Sequence, residues 1–144
     1  ACDIRLCSAD ASFSLRETAI GLVADMGVLQ RLPLVIGQGF AREMAFTARF
    51  YTAREAERMG LVNAVFADRA SLEAGALDLA RQIAENAPLA VRATKEVLNF
   101  SRHVPVGDGM NLAMSRNMVL LNSKDLGEAV RAFAEKRKPS FKGE

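Results

Sequence analysis

The stretch Phe13-Ser-Leu-Arg-Glu17-Thr-Ala-Ile-Gly21-Leu-Val-Ala-Asp25-Met-Gly27-Val-Leu-Gln-Arg-Leu-Pro33 decides how this chain is read. It leads from a strand-like beginning into a helix, is punctuated by two glycines, and carries the carboxylates Glu17 and Asp25 in apolar company. If such a pair is buried beside one ligand, desolvation and mutual repulsion push the two pKa values up and apart. That arrangement suits moving a proton between two carbons. The same residues also have a plainer account: Asp25 caps a helix starting near Met26, and Glu17 ends a strand in solvent.

Four further blocks occur in order along the chain, the second of them inside this stretch. They are Ala1-Cys2-Asp3-Ile4-Arg5, Gly27-x2-Gln30-Arg31-Leu32-Pro33, Ala56-x3-Gly60-Leu61-Val62-x2-Val65, and Phe133-x-Glu135-Lys136-Arg137-Lys138-Pro139-x-Phe141. Together with Glu17-x3-Gly21, the chain resembles the enoyl-CoA hydratase/isomerase (crotonase) superfamily over essentially its whole length. The resemblance implies an α/β fold, the C-terminal part of a crotonase-like β/α spiral, with a few short strands followed by a mostly helical region. Residues 1–67 would complete the core and residues 68–144 would form a helical oligomerisation region.

The resemblance also implies chemistry: a CoA thioester whose enolate is stabilised by two backbone N–H groups while acids shuttle protons. Glu17 matches the family glutamate near C2 of the acyl chain. Asp25 discriminates, because family hydratases usually carry glycine there. The run Gly21 to Pro33 is similar to that of Δ3,5-Δ2,4-dienoyl-CoA isomerases, which implies rearrangement of a 3,5-dienoyl-CoA to the 2,4-isomer. A proton taken at C2 and returned at C6 spans a conjugated dienolate, and one carboxylate at each end performs this, in either assignment. Hydration of a 2-enoyl-CoA is the alternative, although it normally uses an upstream acid that this chain does not show. Lys136 matches a lysine that reaches the CoA phosphates or adenine region, often in a neighbouring subunit. The plain account of Lys136, Arg137, Lys138 and Lys142 is a solvated basic face suited to a helix C-terminus.

The chain has no initiator Met and opens inside a family motif. The resemblance therefore implies the C-terminal half of a longer protein, whose missing N-terminal half supplies most of the sheet, much of the CoA pocket and the oxyanion donors. A third reading follows, an inactive fragment or assembly module, because losing even one oxyanion donor costs roughly 3–4 kcal/mol. Expected partners are the acyl-CoA thioester, the missing half, and further copies in a homo-trimer or hexamer. No separate cofactor is implied beyond CoA as part of the substrate.

Bulk properties narrow the classes. The 144 residues suffice for one core, with half of them hydrophobic and a quarter charged. A net charge of +2 is too small to argue for nucleic acid. No apolar run approaches the ~20 residues of a membrane span and nothing at the start reads as a signal peptide, so a cytoplasmic location is expected. Cys2 and Cys7 would face opposite sides of one strand, and the single histidine, His103, lies in a polar turn. Neither arrangement points to a disulfide or a metal site.

Local signals complete the reading. Strands are expected at Cys2 to Cys7, Ser12 to Leu15 and Leu61 to Phe66. A short helix should stop near Pro33 and a second should run from Gly39 to about Thr47. Thr52-Ala-Arg-Glu55 is a capping box, with Gly60 ending its helix. Four amphipathic helices follow Asp68, with Pro88 in a first turn, Ser123 as a cap, and a stripe of Met110, Met114, Met118 and Leu121. That is more apolar helix surface than so few strands can cover, so some faces are expected to meet other polypeptide.

Overall fold

The computed structural model describes residues 2–144. Two compact units divide the chain, one ending at Leu77 and the other beginning at Asp78.

Among the described residues, all four strands lie in the first unit. Strand β1 (Leu6–Ser8) pairs in parallel with β4 (Ala64–Phe66), setting Cys7 opposite Val65, while β2 (Ser12–Phe13) pairs antiparallel with β3 (Tyr51–Thr52). Between them run helices α1 (Val28–Thr47) and α2 (Ala53–Arg58). The core joins Leu32, Ile36, Ala41 and Met44 of α1 to Tyr51 and Met59. A second cluster packs Cys7 against Ala53, Ala56 and Val62. Around it, Arg49 lies 3.6 Å from the Tyr51 ring centroid and bonds both Glu43 and Glu55.

The expected stop at Pro33 is corrected. The helix runs through Pro33 and breaks at Gly37, whose φ of 77° and ψ of 164° only glycine enters readily. Proline removes a single helical bond in the second turn, and burial of Leu32 and Ile36 outweighs that loss. The second half of α1 then ends at Thr47, as its pattern indicated.

The first expected strand is also shorter than Cys2 to Cys7. Arg5 is tied off by its own polar contacts: its N–H donates to Asn63 Oδ1 at 2.9 Å and its Nη1 to the Cys2 carbonyl at 2.8 Å, so the ladder begins at Leu6. Likewise only Phe13 of the Phe13–Leu15 end joins β2, and β4 starts at Ala64 because Leu61 is engaged in the α2 terminus. That terminus and its start match the sequence signals. Thr52 and Glu55 cap each other, and Gly60 and Leu61 donate to the Glu57 and Ala56 carbonyls.

Helix α3 (Arg69–Ala84) carries the chain out of the first unit, where Gly75 leaves the space that the Phe66 ring occupies. The second unit contains α4 (Pro88–Phe100), α5 (Val106–Leu120) and α6 (Lys124–Ala134). Helices α4 and α5 pack as a pair, latched by Arg116 Nε donating to Glu96 at 2.7 Å. Met110, Met114, Met118 and Leu121 remain exposed, as do Val130 and Phe133 of α6. No helix among the described residues is long and apolar enough to cross a membrane.

Candidate active site

Glu17 begins a single 3-10 turn, Glu17–Ile20, rather than ending a strand. The turn is fixed by side chains that serve carbonyls at the end of α1. Thr18 Oγ1 donates to the Ala45 carbonyl at 2.7 Å, while Arg16 Nη1 and Ser14 Oγ both donate to the Ala48 carbonyl, at 2.8 and 3.1 Å. A helix C-terminus leaves such carbonyls without internal partners, so each bond satisfies the helix and anchors the turn together. Arg16 also stacks 5.3 Å from the Phe50 ring centroid.

Glu17 is half-buried, and its Oε2 is shut away from solvent with no hydrogen-bond partner. Buried polar atoms are nearly always paired, so an orphaned carboxylate oxygen calls for an explanation. A general base waiting for a proton on a ligand has this form: an acceptor kept dry and unspent.

Gly21 closes the turn with φ 77°, and its N–H donates to Thr18. An irregular segment, residues 22–27, leads to α1. Ala24 is its buried anchor, while Leu22, Val23, Asp25 and Met26 are exposed, Val23 by 77% and Met26 by 88%. Joint burial of Glu17 and Asp25 is therefore corrected for this chain: Asp25 faces outward and nothing here removes it from water. Asp25 does not cap α1 either. Gly27 occupies the N-cap at φ 82°, without a side-chain cap, in a left-handed conformation that suits glycine. The two acids thus flank a short, apolar, outward-facing loop, and no hydrogen bond or ion pair joins them.

Lys136 belongs to the second unit. It follows α6 at φ 55°, left-handed, with its N–H donating to Phe133 and that of Arg137 to Ala132. Glycine is the usual residue at this position of a helix end. The side chain is exposed and makes no ion pair among the described residues. Arg137, by contrast, grips Glu128 with both Nη atoms and pairs with Glu135. Among the described residues no three His, Cys, Asp or Glu side chains gather as a metal site would require.

Sequence reading missed the residues that hold this machinery. Ser14, Arg16 and Thr18 are separated from their acceptors by 27 to 34 residues. No local pattern announces such a pairing. Glu128 and Asp125 hold the C-terminal segment in the same long-range fashion.

Known proteins resemble the whole of this arrangement. A family described as Enoyl-CoA hydratase/isomerase matches residues 1–144. The chain is 46% identical over 142 residues to a mitochondrial Delta(3,5)-Delta(2,4)-dienoyl-CoA isomerase of Dictyostelium discoideum, covering 99% of this chain and 48% of that protein. It is 47% identical over 141 residues to the peroxisomal Delta(3,5)-Delta(2,4)-dienoyl-CoA isomerase of Arabidopsis thaliana, covering 98% and 51%. A crystal structure of an enoyl-CoA hydratase from Bacillus anthracis superposes with a TM-score of 0.96 at 38% identity, covering 99% of this chain and 55% of that one. The chain therefore spans about half the length of the relatives it matches. From the orphaned glutamate to the basic turn, the chain belongs to the enoyl-CoA hydratase/isomerase family.

Proposed function

We propose that the protein carrying this chain isomerises 3,5-dienoyl-CoA to 2,4-dienoyl-CoA, with Glu17 and Asp25 as its proton-transfer acids. The observation that carries the reading is the Glu17 side chain, half-buried with one oxygen dry and unpartnered, on a turn that leads straight to Asp25. Similarity to proteins named for that reaction supports it.

In the proposed cycle Glu17 takes a proton from C2 of the acyl chain, and the electron pair spreads through the dienolate to C6. Protonated Asp25 delivers a proton to C6, which leaves the double bonds at C2 and C4. The acids end with exchanged protonation states. Asp25 must regain a proton, and Glu17 must pass its own on, before the next turnover. The exposed Leu22, Val23 and Met26 beside Asp25 suit an acyl chain. Lys136 is proposed as a ligand for a CoA phosphate.

Full activity on this reading needs polypeptide beyond this chain, both to exclude water from Asp25 and to donate hydrogen bonds to the thioester oxygen. Such a partner segment, and further copies of the chain, are proposed to cover the apolar faces left open here. The fatty-acid oxidation context is part of the same proposal.

The test is turnover of a 3,5-dienoyl-CoA by the intact protein. Asp25→Asn should lower kcat by about a hundredfold or more. Near-normal turnover in that variant would end the two-acid scheme. Hydration of a 2-enoyl-CoA is the second reading, favoured by the overlay on a protein named enoyl-CoA hydratase. Faster turnover of crotonyl-CoA than of the dienoyl substrate would select it.

A further inference from the structure

The last eight residues do not trail away from α6. They run back along it as a strap. Ser140 N–H donates to Glu128 Oε1 at 3.0 Å, and the Lys142 and Gly143 N–H groups donate to the two oxygens of Asp125 at 2.7 and 2.9 Å. Asp125, in the first turn of α6, is only 3% exposed. Its own N–H donates to the Glu144 carbonyl at 3.2 Å, and Lys124 Nζ holds the Glu144 carboxylate at 2.7 Å. Phe141 of the strap lines an apolar cavity of about 580 Å³ together with Leu89, Leu126 and Ala129.

For the chain to leave α6 and return to its first turn, it must reverse just after Ala134. Lys136 is the left-handed residue at that reversal. Glycine would make the same turn without steric cost, so a lysine there keeps a cation at the apex. The neighbouring cations are committed: Arg137 to Glu128 and Glu135, Lys138 to Glu85 at 3.6 Å, Arg131 to Glu128 at 3.4 Å. Lys136 and Lys142 are left without an ion pair among the described residues. Of these, Lys142 has its backbone fastened inside the strap, whereas Lys136 stands on the bend.

We infer that Glu128 and Asp125 are positioning residues for ligand binding, fastening the strap so that its apex presents the Lys136 ammonium to a phosphate of acyl-CoA. The inference rests on the reading of Lys136 as a phosphate ligand. Glu128 and Asp125 touch no ligand themselves. They act by removing the freedom of the turn, which lowers the ordering cost that binding otherwise carries.

Titration of the intact protein with coenzyme A, at low and high salt, tests this with Glu128→Gln, Lys136→Ala, Lys142→Ala and the double variant Glu128→Gln/Lys136→Ala. Lys136→Ala and Glu128→Gln should each weaken coenzyme A binding by about tenfold, the size of one charge-assisted contact, and flatten its salt dependence. The KM for acyl-CoA should rise equally while kcat stays within about twofold. The double variant should bind no worse than Lys136→Ala alone, because the clamp acts through that lysine. Lys142→Ala should change nothing. Normal binding in Glu128→Gln beside weakened binding in Lys136→Ala overturns the clamp and leaves the lysine reading standing. Normal binding in Lys136→Ala, or equal weakening in Lys142→Ala, removes the lysine reading and the clamp with it. Should Glu128→Gln melt far below the parent, Asp125→Asn carries the same comparison.

Discussion

Thr18 donates its hydroxyl proton to the Ala45 carbonyl at 2.7 Å, and with this bond the turn bearing Glu17 is tied to the last turn of α1. The pairing makes a prediction. Thr18→Val keeps the shape and removes the donor. It should cost about 0.5–1.5 kcal/mol in chemical denaturation, the usual net worth of one hydrogen bond. On the proposed reading the same bond places the turn that bears the base, so kcat on a 3,5-dienoyl-CoA should fall several-fold as well.

Glu17→Gln separates chemistry from stability. If Glu17 is the proposed base, its loss lowers kcat by about 10²–10⁴ with little change in KM. The Oε2 that is lost has no partner in the fold, so the melting temperature should hold or rise slightly. A large loss of stability would instead give Glu17 a structural role.

Gly37 makes a backbone prediction. At φ 77° and ψ 164°, any side chain is strained although nothing lies within 4 Å of where a Cβ would stand. Gly37→Ala should therefore cost about 1–3 kcal/mol, read from denaturant midpoints. Pro33→Ala should be neutral or mildly stabilising, since it restores a helical N–H.

Two carboxylates set an acid limit. Hydrogen bonds from the Thr52 N–H, from Arg49 and from the Thr52 hydroxyl lower Glu55 from 4.5 to about 2, and Arg137 with the Ser140 N–H does the same for Glu128. A folded value below the unfolded one means that the contribution is complete above about pH 4.5 and is lost as pH falls toward 2. Melting temperature recorded between pH 6 and pH 2.5 should decline through that window. Glu55→Gln and Glu128→Gln should each start lower and decline less steeply.

The isolated 144-residue chain should associate with itself and bind a hydrophobic dye. Val23, Met26 and Phe133 are 77%, 88% and 88% exposed, and Met110, Met114 and Met118 add to them. Sedimentation at several concentrations reads this directly. A well-behaved monomer with no dye binding would refute it.

Much of the secondary structure was legible because its signals are local. The Thr52–Glu55 box, Gly60 and Ser123 act within four residues, and Pro88 opens α4 as its fixed φ dictates. The succession of four helices followed from apolar periodicity. Pro33 misled because packing of Leu32 and Ile36 outweighed one absent hydrogen bond, a tertiary effect that no local rule weighs. Cys2 to Arg5 failed as strand because Arg5 found polar partners near position 63. At the candidate site, residue types and order were readable at Glu17 and Asp25, whereas the orphaned oxygen of one and the outward aspect of the other depend on three-dimensional surroundings. The fastening of the strap to α6 was hidden for the same reason.

The methionine stripe of α5 carries its own reporter. Thioethers open to water convert to sulfoxides under dilute peroxide, and shielded ones resist. Positions 110, 114 and 118 therefore record, in the masses of the peptides that carry them, whether a neighbour lies across that helix in the intact protein.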